Sequence, residues 1–145
     1  MSDEEAAPQV SATVILDQLK IARDVHGDRV VADAIASLDE HARRDIEALL
    51  PGTWCSTQAA QAVKTAIAER LGQDVLAFQR ATVRAGIERT LTTVWRFFMR
   101  QLGDAALAKR APTLYSRSFN RGSLVLASYK RGEWDFELHG WPRIP

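Results

Sequence analysis

The apolar positions change their period once along the chain. From Ser11 to about residue 102 they recur every three or four residues, as on amphipathic helices; from Leu124 onward they alternate, as on half-buried strands. Ser11 is a candidate N-cap. Val14, Leu16, Leu19, Ile21 and Ala22 then form the apolar band of a first helix that Gly27 closes. Asp28 and Asp39 are candidate caps of two further helices. The first buries Val30, Val31, Ala34 and Ile35; the second buries Ala42, Ile46 and Leu49 before Pro51-Gly52. Ser56 opens a fourth helix, thin because of its alanines, with Val63, Ile67 and Leu71 on its apolar side and Gly72 at its end.

The segment 74–102 is the most regular. Val83, Ile87, Leu91, Val94, Phe98 and Leu102 fall on one helical stripe, and Arg89, Arg96 and Arg100 on another. Gly86 lies inside this pattern, where a glycine costs about 1 kcal/mol relative to alanine. It predicts a kink or a close helix–helix contact. Residues 104–110 read as a short helix ending before Ala111-Pro112, and 113–122 as a helical turn that leaves at Gly122. Two strands follow. Leu124 and Leu126 alternate with Val125, Ala127 and Tyr129; Trp134, Phe136 and Leu138 alternate with Asp135, Glu137 and His139. Gly132 takes the turn position that needs a positive φ.

These elements predict an α+β fold: about six or seven helices, then a C-terminal antiparallel β-hairpin packed on the long central helix. Residues 1–10 read as a flexible polar lead and 11–145 as a single domain. No further strand is expected. An isolated hairpin is marginal in water. The apolar face of Trp134, Phe136 and Leu138 and the open strand edges therefore predict a homodimer.

Composition narrows the picture. With 145 residues, 46% hydrophobic and 26% charged, the chain is of ordinary globular type. No apolar run approaches the roughly 18–20 residues of a membrane span, and the start MSDEEAAP has no apolar core of a signal peptide. A cytoplasmic location is expected. The net charge of +1 conceals an asymmetry. Residues 1–60 hold eleven acids and five bases (−6), and 61–145 hold seven acids and fourteen bases (+7). Arg89, Arg96, Arg100, Arg117 and Arg121 form a candidate surface for nucleic acid or another anionic partner. An isoelectric point of ≈ 8.0 argues against nucleic acid.

Candidate chemistry is sparse. The sequence holds no phosphate-binding glycine loop and no HExxH. His26, His41 and His139 are scattered. No metal, haem or other cofactor is predicted, and no enzyme. Cys55, ahead of a helix start, could be activated by the helix terminus or simply be buried. Asp135 and Glu137 share a strand face and read as a solvated pair beside Lys130 and Arg131, or as an acid–base pair. Tyr115, Ser118, Asn120 and Arg121 could hold a ligand's polar end or lock the helix–strand junction. Trp95, Phe98 and Met99, with Tyr115, Phe119 and Trp134, are candidates for an apolar ligand pocket or for ordinary core.

One longer resemblance runs through residues 11–142. HG followed by DRVVADAIASL, then PGTW, a long helix with G-I-x-x-x-L, and APTLYSRSFNRGSLVLASYKRGEWDFELHGWP stand in an order that resembles an uncharacterised paralogous family of myxobacteria. That family is distantly similar to the superfamily of the haem–nitric oxide binding and 4-vinyl reductase domains. The resemblance implies a non-enzymatic α+β sensor or scaffolding module, often dimeric, binding a small molecule or a protein. Haem-binding members carry Tyr-x-Ser-x-Arg. Here Arg117 and Phe119 stand two and four places after Tyr115, and no histidine matches the proximal ligand, so no haem is implied. Longer relatives carry more strand after the hairpin, so this chain is expected to be a short form or to draw sheet from a second copy.

Overall fold

The computed structural model describes residues 7–91, 101 and 103–141. Among the described residues it has six helices and four strands, with the helices followed by a C-terminal antiparallel hairpin, an α+β fold. The chain packs as two compact units, 9–89 and 90–145, with residues 1–8 grouped with the second.

The first unit contains β1 (Gln9–Ser11), α1 (Ala12–His26), α2 (Asp28–Ala36), α3 (Glu40–Glu47), β2 (Trp54–Ser56), α4 (Thr57–Arg70) and most of α5 (Val75–Leu91). The pair β1–β2 corrects the expectation of no strand outside the hairpin. It also shortens the expected lead, since residues 9 and 10 are in a strand. Val10 lies antiparallel to Cys55, and both are buried. Each is one apolar residue between more exposed neighbours, too short a run to show a period of two. The pairing continues into α1, where the Ala12 N–H donates to the Thr53 carbonyl at 2.9 Å. Ser11 occupies the N-cap position, yet its side chain makes no capping bond.

Two other caps form as the sequence suggests. Asp39 Oδ1 accepts from the Ala42 N–H at 3.0 Å, and Ser56 Oγ accepts from the Ala59 N–H at 3.1 Å. Asp28 differs. Gly27 takes the cap position and Asp28 lies in the first turn of α2, where its charge still suits the helix dipole. At the end of α4 the Gln73 N–H reaches the Ala68 carbonyl and the Gly72 N–H that of Glu69, which is the Schellman arrangement.

Ile15, Val31, Val63 and Ile67 are the largest fully buried side chains, contributed by α1, α2 and α4. The small faces of Ala59, Ala60 and Ala68 are buried on α4, which packs against α2 and α3. For Gly86, the close helix contact is what the structure shows. A Cβ there would lie 3.2 Å from Ile21 Cδ1, so α5 comes close to α1 at this position and a larger residue would require the Ile21 side chain to shift.

The second unit contains α6 (Asp104–Ser118), β3 (Ser123–Lys130) and β4 (Glu133–His139). The expected break before Ala111-Pro112 is overturned: α6 runs through Pro112 as one helix. Proline removes one N–H from the ladder. The C-terminal half stays helical where Tyr115 and Phe119 pack into the junction with the hairpin. Within this unit the helix against β3 is α6. The expected central helix is observed as α5 to Leu91; residues 92–100 and 102 lie outside the described residues.

The hairpin turns at Arg131-Gly132, with Gly132 at φ 83° as its position requires. Leu124 faces Leu138, Leu126 faces Phe136 and Tyr129 faces Trp134. Ser128 faces Asp135, which leaves Ala127 as the extra residue of a bulge. The bulge corrects the simple alternation. It turns Tyr129 from the Val125 side to the side of Leu124 and Leu126, because opposed residues point to the same face.

Candidate functional site

The bulge assembles three stacked apolar pairs on one face of the hairpin. Along β4 the side chains of Trp134, Phe136 and Leu138 point the same way by the period of two, and each meets an apolar partner on β3. The face is largely open. Tyr129 is 41% exposed, Trp134 37% and Leu138 50%; Leu124, Leu126 and Phe136 are half-buried. Among the described residues, each hairpin strand pairs only with the other, so both outer edges are unpaired.

Polar groups share the opposite face with Val125, which faces Glu137 and is 45% exposed. Ser128 Oγ donates to Asp135 Oδ2 at 2.5 Å, and His139 Nε2 lies 2.9 Å from Glu137 Oε2. The carboxylates therefore find Ser128 and His139, where Lys130 and Arg131 were the expected partners. Among the described residues no three His, Cys, Asp or Glu side chains gather as a metal site.

At the other end of the hairpin an aromatic knot closes the junction with α6. The Tyr115 and Phe119 rings stack at 4.8 Å, and Phe119 meets Trp141 edge-on at 5.6 Å. Tyr115 Oη donates to the Arg121 carbonyl at 3.2 Å, and burial pushes its phenol pKa up. Ser118 Oγ donates to the Leu114 carbonyl. These bonds serve the junction itself. Of the candidate pocket, Tyr115 and Phe119 come together and Trp134 does not join them. Trp134 stands beside the turn, and five residues of strand rise, about 17 Å, separate it from His139 at the junction end of β4. Trp141, placed by the sequence reading in an irregular tail, takes the expected place of Trp134. Trp95, Phe98 and Met99 lie outside the described residues.

Three of the candidate anionic-partner residues, Arg89, Arg117 and Arg121, are among the described residues. Arg89 Nη1 on α5 donates to Asp24 Oδ2 on α1 at 2.7 Å. Arg117 is exposed in the last turn of α6, and Arg121 is half-buried after it. Arg96 and Arg100 lie outside the described residues.

Cys55 is 2% exposed on β2. Burial, and then the Asp45 carboxylate, push its thiol pKa up, against smaller opposing effects of the Ala60 N–H and Lys64. The nearby start of α4 does not make it a reactive thiolate, because desolvation dominates. The histidines are likewise in local contacts: His26 packs against the Phe78 ring at 6.2 Å, and His41 lies 3.9 Å from Asp45. No helix among the described residues is long and apolar enough to cross a membrane.

No protein-family model, curated protein or solved structure matches the chain.

Proposed function

We propose that this chain is a non-enzymatic regulatory or scaffolding module that homodimerises through the apolar face of its hairpin. The dimer presents its surfaces to a protein partner or a small molecule, in a cytoplasmic signalling role. The observation behind this reading is the open face of Tyr129, Trp134 and Leu138 over half-buried Leu124, Leu126 and Phe136. Ala108 is the one buried hydrophobic residue of the 90–145 unit among those described. An isologous contact would supply a hydrophobic layer from each copy. Covering the exposed parts of Tyr129, Trp134 and Leu138 on two copies gives a gross gain of roughly 4–8 kcal/mol. The resemblance to the superfamily of the haem–nitric oxide binding and 4-vinyl reductase domains supports the same reading, since dimeric modules are common there.

The test is light scattering of the full chain at micromolar concentration, alone and with Trp134→Glu or Leu138→Glu. Both residues are exposed, so the monomer tolerates the substitutions. The wild type is expected to run as a dimer and both variants as monomers. A wild-type monomer, or variants that dimerise as well as the wild type, would refute the proposal.

A further inference from the structure

The helical unit contains a cavity of about 80 Å³ between α1, α4 and α5. Its wall is mostly apolar, from Ile15, Leu19, Ile67 and Phe78 among others. Four polar side chains interrupt it: Gln18, Lys64, Thr82 and Gln79, of which Gln79 Nε2 donates to Gln61 Oε1 at 3.0 Å. The Gln18 Oε1 atom is buried with no hydrogen-bond partner among the described residues. An orphaned buried acceptor costs its full desolvation unless something donates to it. Thr82 is 7% exposed and gives its hydroxyl proton to the Phe78 carbonyl at 2.9 Å, which leaves its oxygen lone pairs available. Lys64, half-buried, is the one charged residue in the lining among the described residues.

We infer that this cavity is a binding site for a small hydroxycarboxylate of two or three carbons, its carboxylate on the Lys64 ammonium and its hydroxyl donating to Gln18 Oε1. Each demand of the wall selects one part of the ligand. The half-buried cation calls for an anion, since a partly desolvated charge is stabilised by a counter-charge with hydrogen bonds. The orphaned amide oxygen calls for a donor. The apolar wall accepts a methyl or methylene. An α-amino acid meets these demands less well, because its own ammonium would stand near that of Lys64. The volume sets the size. A cavity of about 150 Å³ accommodates benzene, so one half as large holds a ligand of only a few heavy atoms. Desolvation already pushes the Lys64 pKa down. A bound carboxylate reverses that effect, which makes the lysine its own reporter. This site does not depend on the role proposed for the hairpin.

The experiment is a titration of the ¹⁵N-labelled full chain with glycolate and lactate, followed by amide shifts. Ethylene glycol, which lacks the charge, and glycine, which adds the second ammonium, are the comparison probes. Glycolate or lactate is expected to give saturable shifts around Gln18, Lys64 and Thr82, with a Kd on the order of millimolar for so few atoms. Lys64→Met, which keeps the unbranched shape and most of the length of the side chain, should weaken binding about tenfold or more. In the wild type the Lys64 pKa, followed at ¹³Cε, should rise on saturation. Absence of saturable shifts would overturn the assignment, and so would ethylene glycol or glycine binding equally well. An unmoved Lys64 pKa at saturation would overturn it too. So would a cavity holding ordered water alone, for which there is room at about 30 Å³ per molecule.

Discussion

Gly122 and Gly132 flank the same strand, have similar backbones and should respond very differently to alanine. Both sit at positive φ, 72° and 83°. An L-residue in that region costs about 1–2 kcal/mol, and Gly132→Ala should cost only that, because nothing among the described residues lies within 4 Å of the new Cβ. At Gly122 the Cβ would lie 3.0 Å from the His139 carbonyl oxygen, 3.1 Å from Tyr115 Oη and 3.4 Å from Trp141. The carbonyl is backbone and cannot swing away. If the Tyr115 hydroxyl moves, it leaves the Arg121 carbonyl, a bond worth about 0.5–1.5 kcal/mol. Overpacking adds about 1–3 kcal/mol. Gly122→Ala should therefore cost about 2.5–6.5 kcal/mol in total, concentrated at the junction of α6 with the hairpin. Native-state hydrogen exchange on the full chain reads this directly. Amides of β3 and β4 should exchange about a hundredfold faster or more in Gly122→Ala, against about tenfold in Gly132→Ala. Amides of α1 and α4 serve as the internal reference. Equal effects of the two substitutions, or a larger effect at Gly132, would refute the argument that close packing at the junction holds the hairpin.

The N-caps offer a second comparison. Asp39→Ala and Ser56→Ala should each lose about 1 kcal/mol in urea unfolding, because their side chains bond the helix, whereas Ser11→Ala should be nearly silent. In the core, Ile67→Ala should cost about 2–5 kcal/mol, measured the same way, since the side chain is 1% exposed. The alkaline limb of stability carries two opposed contributions. The Cys55 pKa is raised on folding, so its contribution is lost as pH climbs above the ordinary thiol value of 9.0 toward the folded one. The Lys64 pKa is lowered on folding, so its contribution grows as pH rises from the folded value toward 10.5. Cys55→Ala should remove the fall and Lys64→Met the rise in urea midpoints taken across that range; unchanged slopes would contradict the assigned causes.

The helical elements were legible because their signals are local and repeated. Asp39 and Ser56 stand where a cap must stand, and the i, i+3, i+4 bands of α1 and α4 each recur over several turns. What escaped was set by single residues meeting distant partners. Val10 and Cys55 form a strand pair with one apolar residue on each side, which no periodicity reports. Pro112 punctuates a sequence strongly, yet the contacts of Tyr115 and Phe119 hold the helix beyond it. The same limit applies to the sites. Trp134 and Phe119 looked like neighbours because both are aromatic and flank one hairpin. Strand rise places them at its two ends, and Trp141 fills the gap. The cavity had no sequence signal: Gln18, Lys64 and Thr82 lie on three helices, and only their packing brings them to one wall.

The bulge at Ala127 ties these observations to the proposed dimer. Without it, Tyr129 would fall on the side of Val125, and the face beside Trp134 would end in Ser128 or Lys130. An extra residue shifts every later side chain on β3 by one position. Tyr129 thereby joins Trp134, and the polar side gains Ser128 to bind Asp135. The apolar face becomes more uniform, and the other face gains the Ser128–Asp135 bond beyond exposed Val125. A hairpin serving only as a lid over its own helix would gain little from an apolar pair at the turn. A surface that meets another copy gains there, because the added aromatic pair extends the contact toward the tip. Deletion of Ala127 distinguishes the two roles. It should restore plain alternation, return Tyr129 to the polar side and lower dimer affinity by about tenfold or more, the loss expected for one large apolar side chain. The exchange of β3 and β4 amides next to α6 should change little. Retention of full dimer affinity after the deletion would detach the bulge from assembly.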